Sequence, residues 1–97
     1  MRIEVHDAAE LEFAEAVTWY DGQSSVAGDQ FLEEFQRAIQ RIAAFPNAWP
    51  KISKNTRRCR LNRFPYGVVY QTRKNSIVIV AVMHLHRRPD YWRDRLE

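Results

Sequence analysis

The chain has 97 residues, enough for one domain, residues 1–97, with a single modest core but not for two. Hydrophobic residues make up 45% of it, including three Trp, four Tyr and five Phe, which excludes a disordered polymer. The longest apolar run, Ile77 to Met83, is strand-sized and far short of the ~20 residues a membrane helix needs. The start, Met1-Arg2-Ile3-Glu4-Val5-His6-Asp7, has no stretch of signal-peptide type, so a cytoplasmic location and no membrane partner are expected. Cys59 is the only cysteine, which excludes an internal disulfide, and its alternating apolar setting marks it as a small core residue.

The formal net charge is +3, but the two signs are segregated. Residues 1–34 hold nine acids and one base, whereas residues 35–89 hold twelve bases and no acid. Surfaces tuned for solubility alone intersperse the signs, so a one-signed stretch of this length points to an anionic partner: RNA, DNA or an acidic protein segment.

Taken in order, Arg2 to Val5 alternates polar and apolar, as a short strand does. Asp7 is placed to cap a helix, with Glu10 completing a capping box. Ala9, Phe13, Ala16, Val17 and Tyr20 recur at helical spacing before Asp21-Gly22 supplies a stop. Ser24 or Ser25 can cap a second helix running to about Ala44, with Phe31, Phe35, Ala38, Ile42 and Phe45 on one stripe and Pro46 ending it. The short connection makes the two helices an antiparallel hairpin. Asn47 to Thr56, with Pro50 and no periodicity, reads as a loop.

Three strands follow. In Arg58-Cys59-Arg60-Leu61 the alternation sets the two arginines on one face, away from Cys59 and Leu61. Phe64-Pro65-Tyr66-Gly67 turns into Val68 to Thr72, and Arg73-Lys74-Asn75 reverses the chain. Ser76 to His84 is an unbroken apolar strand of the kind found at a sheet centre. Pro89 then opens a short terminal helix, Asp90 to Leu96. The expected fold is α+β: an N-terminal strand, an antiparallel two-helix hairpin, a three-stranded antiparallel sheet and a short C-terminal helix, with the helices on one sheet face.

Two blocks carry a resemblance that extends over nearly the whole chain. Arg60-Leu61-Asn62-Arg63-Phe64-Pro65-Tyr66-Gly67-Val68-Val69-Tyr70 resembles the basic, apolar, Phe-Pro-Tyr hairpin of the RelE/ParE toxins. Val80 to Trp92, with its His-x-His-Arg-Arg-Pro-Asp-Tyr-Trp ending, is similar to that superfamily's last strand and exit. The resemblance, closest to the ParE (plasmid stabilisation) branch, implies the toxin of a type II toxin–antitoxin pair. A cognate acidic antitoxin would neutralise it by wrapping it in a toxin–antitoxin hetero-oligomer. It implies no cofactor and no metal.

Within the superfamily, RelE-type members cut mRNA in the ribosome and ParE-type members inhibit DNA gyrase. The RelE pattern has two bases on the second strand, an Arg opening the third, an Arg after the last strand and a Tyr on the terminal helix. Here Arg58 and Arg60 match the first pair, but a guanidinium does not give up a proton near neutrality and is a poor general base. Gly67 stands where the third-strand Arg belongs. His86, with Arg87 and Arg88 adjacent, stands at the position of the Arg after the last strand, and Trp92 at that of the Tyr. An indole can act neither as acid nor as base. His84 and His86 could supply some of that chemistry, since alternate residues on a strand share a face and imidazole is the side chain suited to general acid–base work, or could form a His-x-His metal pair lacking an obvious third ligand. The candidates for a ribonuclease are therefore Arg58, Arg60, His84, His86 and Arg87. Those for target or antitoxin contact are Arg58, Arg60, Arg63, Arg87, Arg88, Tyr91, Trp92 and Arg95. The balance favours gyrase inhibition, with a metal-independent endoribonuclease as the alternative. A non-toxic binding module is a third reading, without any recognisable DNA-reading element to support it.

Overall fold

The computed structural model describes residues 2–96. Strand β1 (Arg2–Val5) leads into helices α1 (Asp7–Gln23) and α2 (Ser25–Ala44). Strands β2 (Lys51–Ser53), β3 (Thr56–Arg60), β4 (Tyr66–Thr72) and β5 (Ser76–His84) follow, and a single 3-10 turn spans Arg93–Arg95.

Local chemistry explains the hairpin. The cap of α1 is His6 and not Asp7: its Nδ1 accepts from the Ala8 N–H at 3.1 Å, and Asp7 is already helical. Asp21-Gly22 does not stop α1, which continues to Gln23. Gly22 sits in open space where its lack of a side chain leaves no gap. Ser24, extended at φ −169°, makes the break. Its backbone N–H closes α1 on the Tyr20 carbonyl, and its Oγ accepts from Ala27 N–H at 3.0 Å to open α2. One residue thus caps two helices and turns them antiparallel. The close approach at this hinge is possible because residue 28 is Gly, as a Cβ there would stand 1.8 Å from Asp21 Oδ1.

The sheet has five strands in the order β1-β5-β4-β3-β2, against the three-stranded sheet plus a separate N-terminal strand read from the sequence. β1 pairs with β5 in parallel, and the remaining pairs are antiparallel. The segment read as loop contains β2, paired Lys51 with Arg57. Two groups hold that connection: the Tyr70 hydroxyl donates to the Pro46 carbonyl at 2.7 Å, and Arg57 Nη1 to the Trp49 carbonyl at 2.6 Å.

One sheet face packs on the hairpin. Phe31, Ala38 and Ile42 of α2 and Ala9 and Ala16 of α1 meet Cys59, Val68, Tyr70, Ile77, Ile79 and Val82. Phe13, Phe31, Phe35, Tyr20 and Phe64 add ring contacts 4.3–6.3 Å apart between centroids. The opposite face carries Val69, Val80, Ala81 and Met83, covered by Trp92 and flanked by Ile52, Tyr91 and Leu96. The expected helix over Asp90 to Leu96 is not formed beyond the 3-10 turn. Seven residues are too few for a stable isolated helix, and here the segment follows the sheet, with Trp92 1% exposed.

Candidate partner-binding surface

Alternation along β3 buries Cys59 against the helices and turns Arg58 and Arg60 to the far face. Burial pushes the Cys59 thiol up, and the nearby Arg41 guanidinium, 3.9 Å from Sγ, only partly offsets this, so the thiol is protonated and unreactive at neutral pH. Arg60 pairs with Gly67 across the strands, and the stem of Arg58 crosses Gly67 diagonally. A Cβ at residue 67 would stand 2.9 Å from both Cγ and Cδ of Arg58. The residue whose arginine is missing from the RelE pattern therefore makes room for Arg58.

Arg58 and Arg60 line a groove of about 410 Å³ with Trp49, Pro50 and Ile52. Neither arginine makes an ion pair among the described residues. Their neighbour Arg57 differs, since it donates to the carbonyls of Asn47 and of Trp49, the latter a residue of the groove's lining. Arg63 is exposed at the tip of the β3–β4 turn with φ 71°, a left-handed conformation that costs a non-glycine residue on the order of 1 kcal/mol.

His84 ends β5 on the helix side. Its ring lies 5.1 Å from that of Tyr66, the residue opposite it on β4. The His86 N–H donates to His84 Nδ1 at 3.1 Å, and the two rings are 5.1 Å apart. No third His, Cys, Asp or Glu joins them among the described residues. The structure thus brings His84, His86 and Arg87 together but sets Arg58 and Arg60 on the other side of the sheet.

The exit from β5 contains the arrangement that sequence reasoning missed. β1 ends at Val5, paired with Ile79, so β5 has no neighbour on that side from Val80 onward. Val80 is moreover an extra residue, since Val69 pairs with Ala81 and Tyr70 with Ile79. Side chains complete the edge. Glu12 Oε1 accepts from the Val82 N–H at 3.1 Å, while Arg95 Nη1 donates to the Val80 carbonyl at 3.1 Å. Arg95 grips the same carboxylate with both terminal nitrogens, at 2.8 and 3.0 Å, and the Tyr91 hydroxyl donates to Glu12 Oε2 at 2.7 Å. Arg87 stacks 3.8 Å over the Tyr91 ring and approaches Glu12 at 3.6 Å.

Burial pushes the Glu12 carboxyl up, but the hydrogen bonds from Arg95, Tyr91 and Val82 outweigh it and hold the group below its usual range. Burial, then the bond to that carboxylate, pushes the Tyr91 phenol well above its usual value. Three expected contact residues are therefore engaged within the fold: Trp92 is buried, and Tyr91 and Arg95 are bound to Glu12. Arg88 is exposed beside Asp90, at 3.3 Å. The signal in the sequence was Glu12 itself, a carboxylate set among Ala9, Phe13 and Ala16 on the apolar stripe of α1.

Residues 3–89 match the family model described as the ParE toxin of the type II toxin–antitoxin system parDE. No curated protein matches the chain in sequence. A chain of the chromosomal ParDE toxin–antitoxin system from P. aeruginosa has a similar fold, with TM-score 0.59 at 16% identity, covering 89% of this chain and 97% of its own. With the strand–hairpin–sheet order and the Phe64-Pro65-Tyr66 turn in place, the family match over most of the length decides the assignment: the chain belongs to the ParE toxins of type II toxin–antitoxin systems.

Proposed function

We propose that this toxin arrests growth by inhibiting DNA gyrase in the cytoplasm, and that a cognate acidic antitoxin neutralises it in a hetero-oligomer. The observation that carries the first part is the division of the polar side chains by the sheet. Arg58 and Arg60 lie on one face and His84 on the other, and Arg87, on the side of His84, is turned onto the Tyr91 ring and Glu12. RNA cleavage by 2′-hydroxyl attack needs a general base, a general acid and a cation around one phosphate, within hydrogen-bond reach. Here Gly67 supplies no side chain, Trp92 is buried and Tyr91 is held by Glu12. Inhibition of a protein target makes no such demand; exposed arginines such as Arg63, Arg87 and Arg88 suffice as contacts.

The groove of Trp49, Pro50, Ile52, Arg58 and Arg60 supports the second part. It offers apolar walls and two unpaired cations, the complement of a segment with apolar anchors and acidic flanks. Expression of the toxin alone should stop growth, and co-expression of the adjacent small acidic reading frame should restore it. In vitro, purified toxin should block supercoiling by gyrase, and the antitoxin should relieve the block. Full supercoiling at saturating toxin would refute the gyrase target.

A further inference from the structure

On the helix side of the sheet, away from the groove of Arg58 and Arg60, a second cleft of about 520 Å³ opens between α1 and the β4–β5 end. Its lining includes Glu15, Trp19, Tyr20, Tyr66 and His84. The rings form a continuous row: Trp19 stands edge-on to Tyr20 at 5.0 Å, Tyr20 meets Tyr66 at 6.2 Å, and Tyr66 meets His84 at 5.1 Å. Trp19 is 59% exposed, which leaves a large aromatic surface open to solvent beside the cleft.

Two carboxylates reach this cleft and they are not equivalent. Glu12 is neutralised by Arg95 and Arg87. Glu15, one turn along, has no ion pair among the described residues and lies near enough to raise the Tyr66 hydroxyl after burial has done so. Arg87, the one arginine in the lining, is turned onto the Tyr91 ring and Glu12.

A free carboxylate beside exposed aromatic surface has one natural ligand. Ring quadrupoles attract a cation, more strongly as it is desolvated, and the carboxylate fixes its charge. We propose that this cleft receives a single arginine or lysine side chain of the antitoxin, on the opposite side of the toxin from the groove that takes its acidic segment. The proposal rests on the antitoxin reading above. Charge complementarity supports it, since the segment up to residue 34, which supplies Glu15 and Trp19, carries nine acids and one base. So does the surface next door: a shallow apolar depression of about 330 Å³, lined by Ala14, Glu15, Thr18 and Trp19, shares two residues with the cleft. A peptide crossing Trp19 would place its cation on one side and an apolar neighbour on the other.

The test starts from isotope-labelled toxin titrated with acetyl-arginine methylamide, reading the Trp19 indole N–H and the Glu15 amide by NMR. Acetyl-citrulline methylamide, the neutral isostere, is the control. Saturable shifts with the arginine probe are expected, weakened about fivefold in Glu15→Gln and in Trp19→Ala, with no saturation by citrulline. Both substitutions are at exposed positions, and retained amide spectra will show that the fold persists. Affinity for the antitoxin should fall about fivefold to tenfold in each variant, with a shallower salt dependence for Glu15→Gln. Equal binding of arginine and citrulline, or of neither, overturns the cation site. Arginine binding with unchanged antitoxin affinity overturns the assigned occupant, as does toxin self-association that Glu15→Gln abolishes. In every one of these cases the double change Arg58→Glu, Arg60→Glu still reports separately on whether the antitoxin uses the basic groove.

Discussion

The two faces of the sheet are closed by different physics. On one, two helices with 17 and 20 residues lay down Phe31, Ala38 and Ile42 and a network of rings, so the seal is apolar area. On the other, the cover is a short C-terminal segment with one large buried side chain, Trp92, whose indole N–H has no partner among the described residues. That segment is fastened by a single carboxylate, Glu12, reaching round from α1 to Tyr91 and Arg95. An apolar seal responds to volume; a polar fastening responds to charge, pH and any competitor for the same atoms. The closure of the far face, which also carries Arg58 and Arg60, is therefore the one that depends on charge.

Truncations separate the two faces. Phe31→Ala removes a fully buried ring from the apolar seal and should cost about 3–5 kcal/mol, read as a shift in the denaturation midpoint at constant slope. Glu12→Gln leaves Arg95 with an uncompensated charge and should cost about 2–3 kcal/mol, less than a fully buried pair because solvent reaches both partners. Its signature should be local: fast hydrogen exchange at Val82 and altered Trp92 fluorescence, with the helix amides protected. A global loss of protection in Glu12→Gln, equal to that in Phe31→Ala, would erase the distinction.

Acid should act on the same fastening. The folded Glu12 carboxyl lies below its usual range, so its contribution is complete above the unfolded value of about 4.3 and is lost as pH falls toward the lowered folded value. Wild-type protein should lose stability over that interval, and Glu12→Gln should show a shallower loss.

Much of the helix face was legible beforehand because its signals are local. Ser24, Ala44 and Pro46 bound α2 as expected, and Ser76–His84 is the strand that its apolar run implied. What depends on partners distant in sequence was not legible. The strand Lys51–Ser53 exists because Arg57 and Tyr70 hold the preceding chain, contacts made to residues up to 24 positions away. The parallel partner of β1 depends on chain that follows two helices. Asp90 to Leu96 has helix-like composition, but Trp92 follows the sheet and Glu12 holds Tyr91 and Arg95, 79 and 83 positions along the chain. In the candidate site, alternation alone placed Arg58 and Arg60, whereas the exposure expected of Trp92 failed for want of that long-range partner.

Smaller effects sharpen the contrast at the surface. Arg58→Glu with Arg60→Glu should leave stability within about 0.5 kcal/mol, since neither arginine has an acid partner to lose. Antitoxin affinity should fall by at least tenfold at physiological salt, measured by calorimetry. Unchanged affinity would move the antitoxin off this face.

On the proposed gyrase reading, the polar side chains on the two faces do not act together as a catalyst. Replacing His84 and His86 together with Gln tests it most directly, with gyrase supercoiling and primer extension on ribosome-bound mRNA measured in parallel. The double variant should inhibit supercoiling as the wild type does, and neither protein should yield codon-specific cuts. Codon-specific cleavage by the wild type, reduced about 10²-fold or more in the variant, would contradict it and make this toxin a ribonuclease.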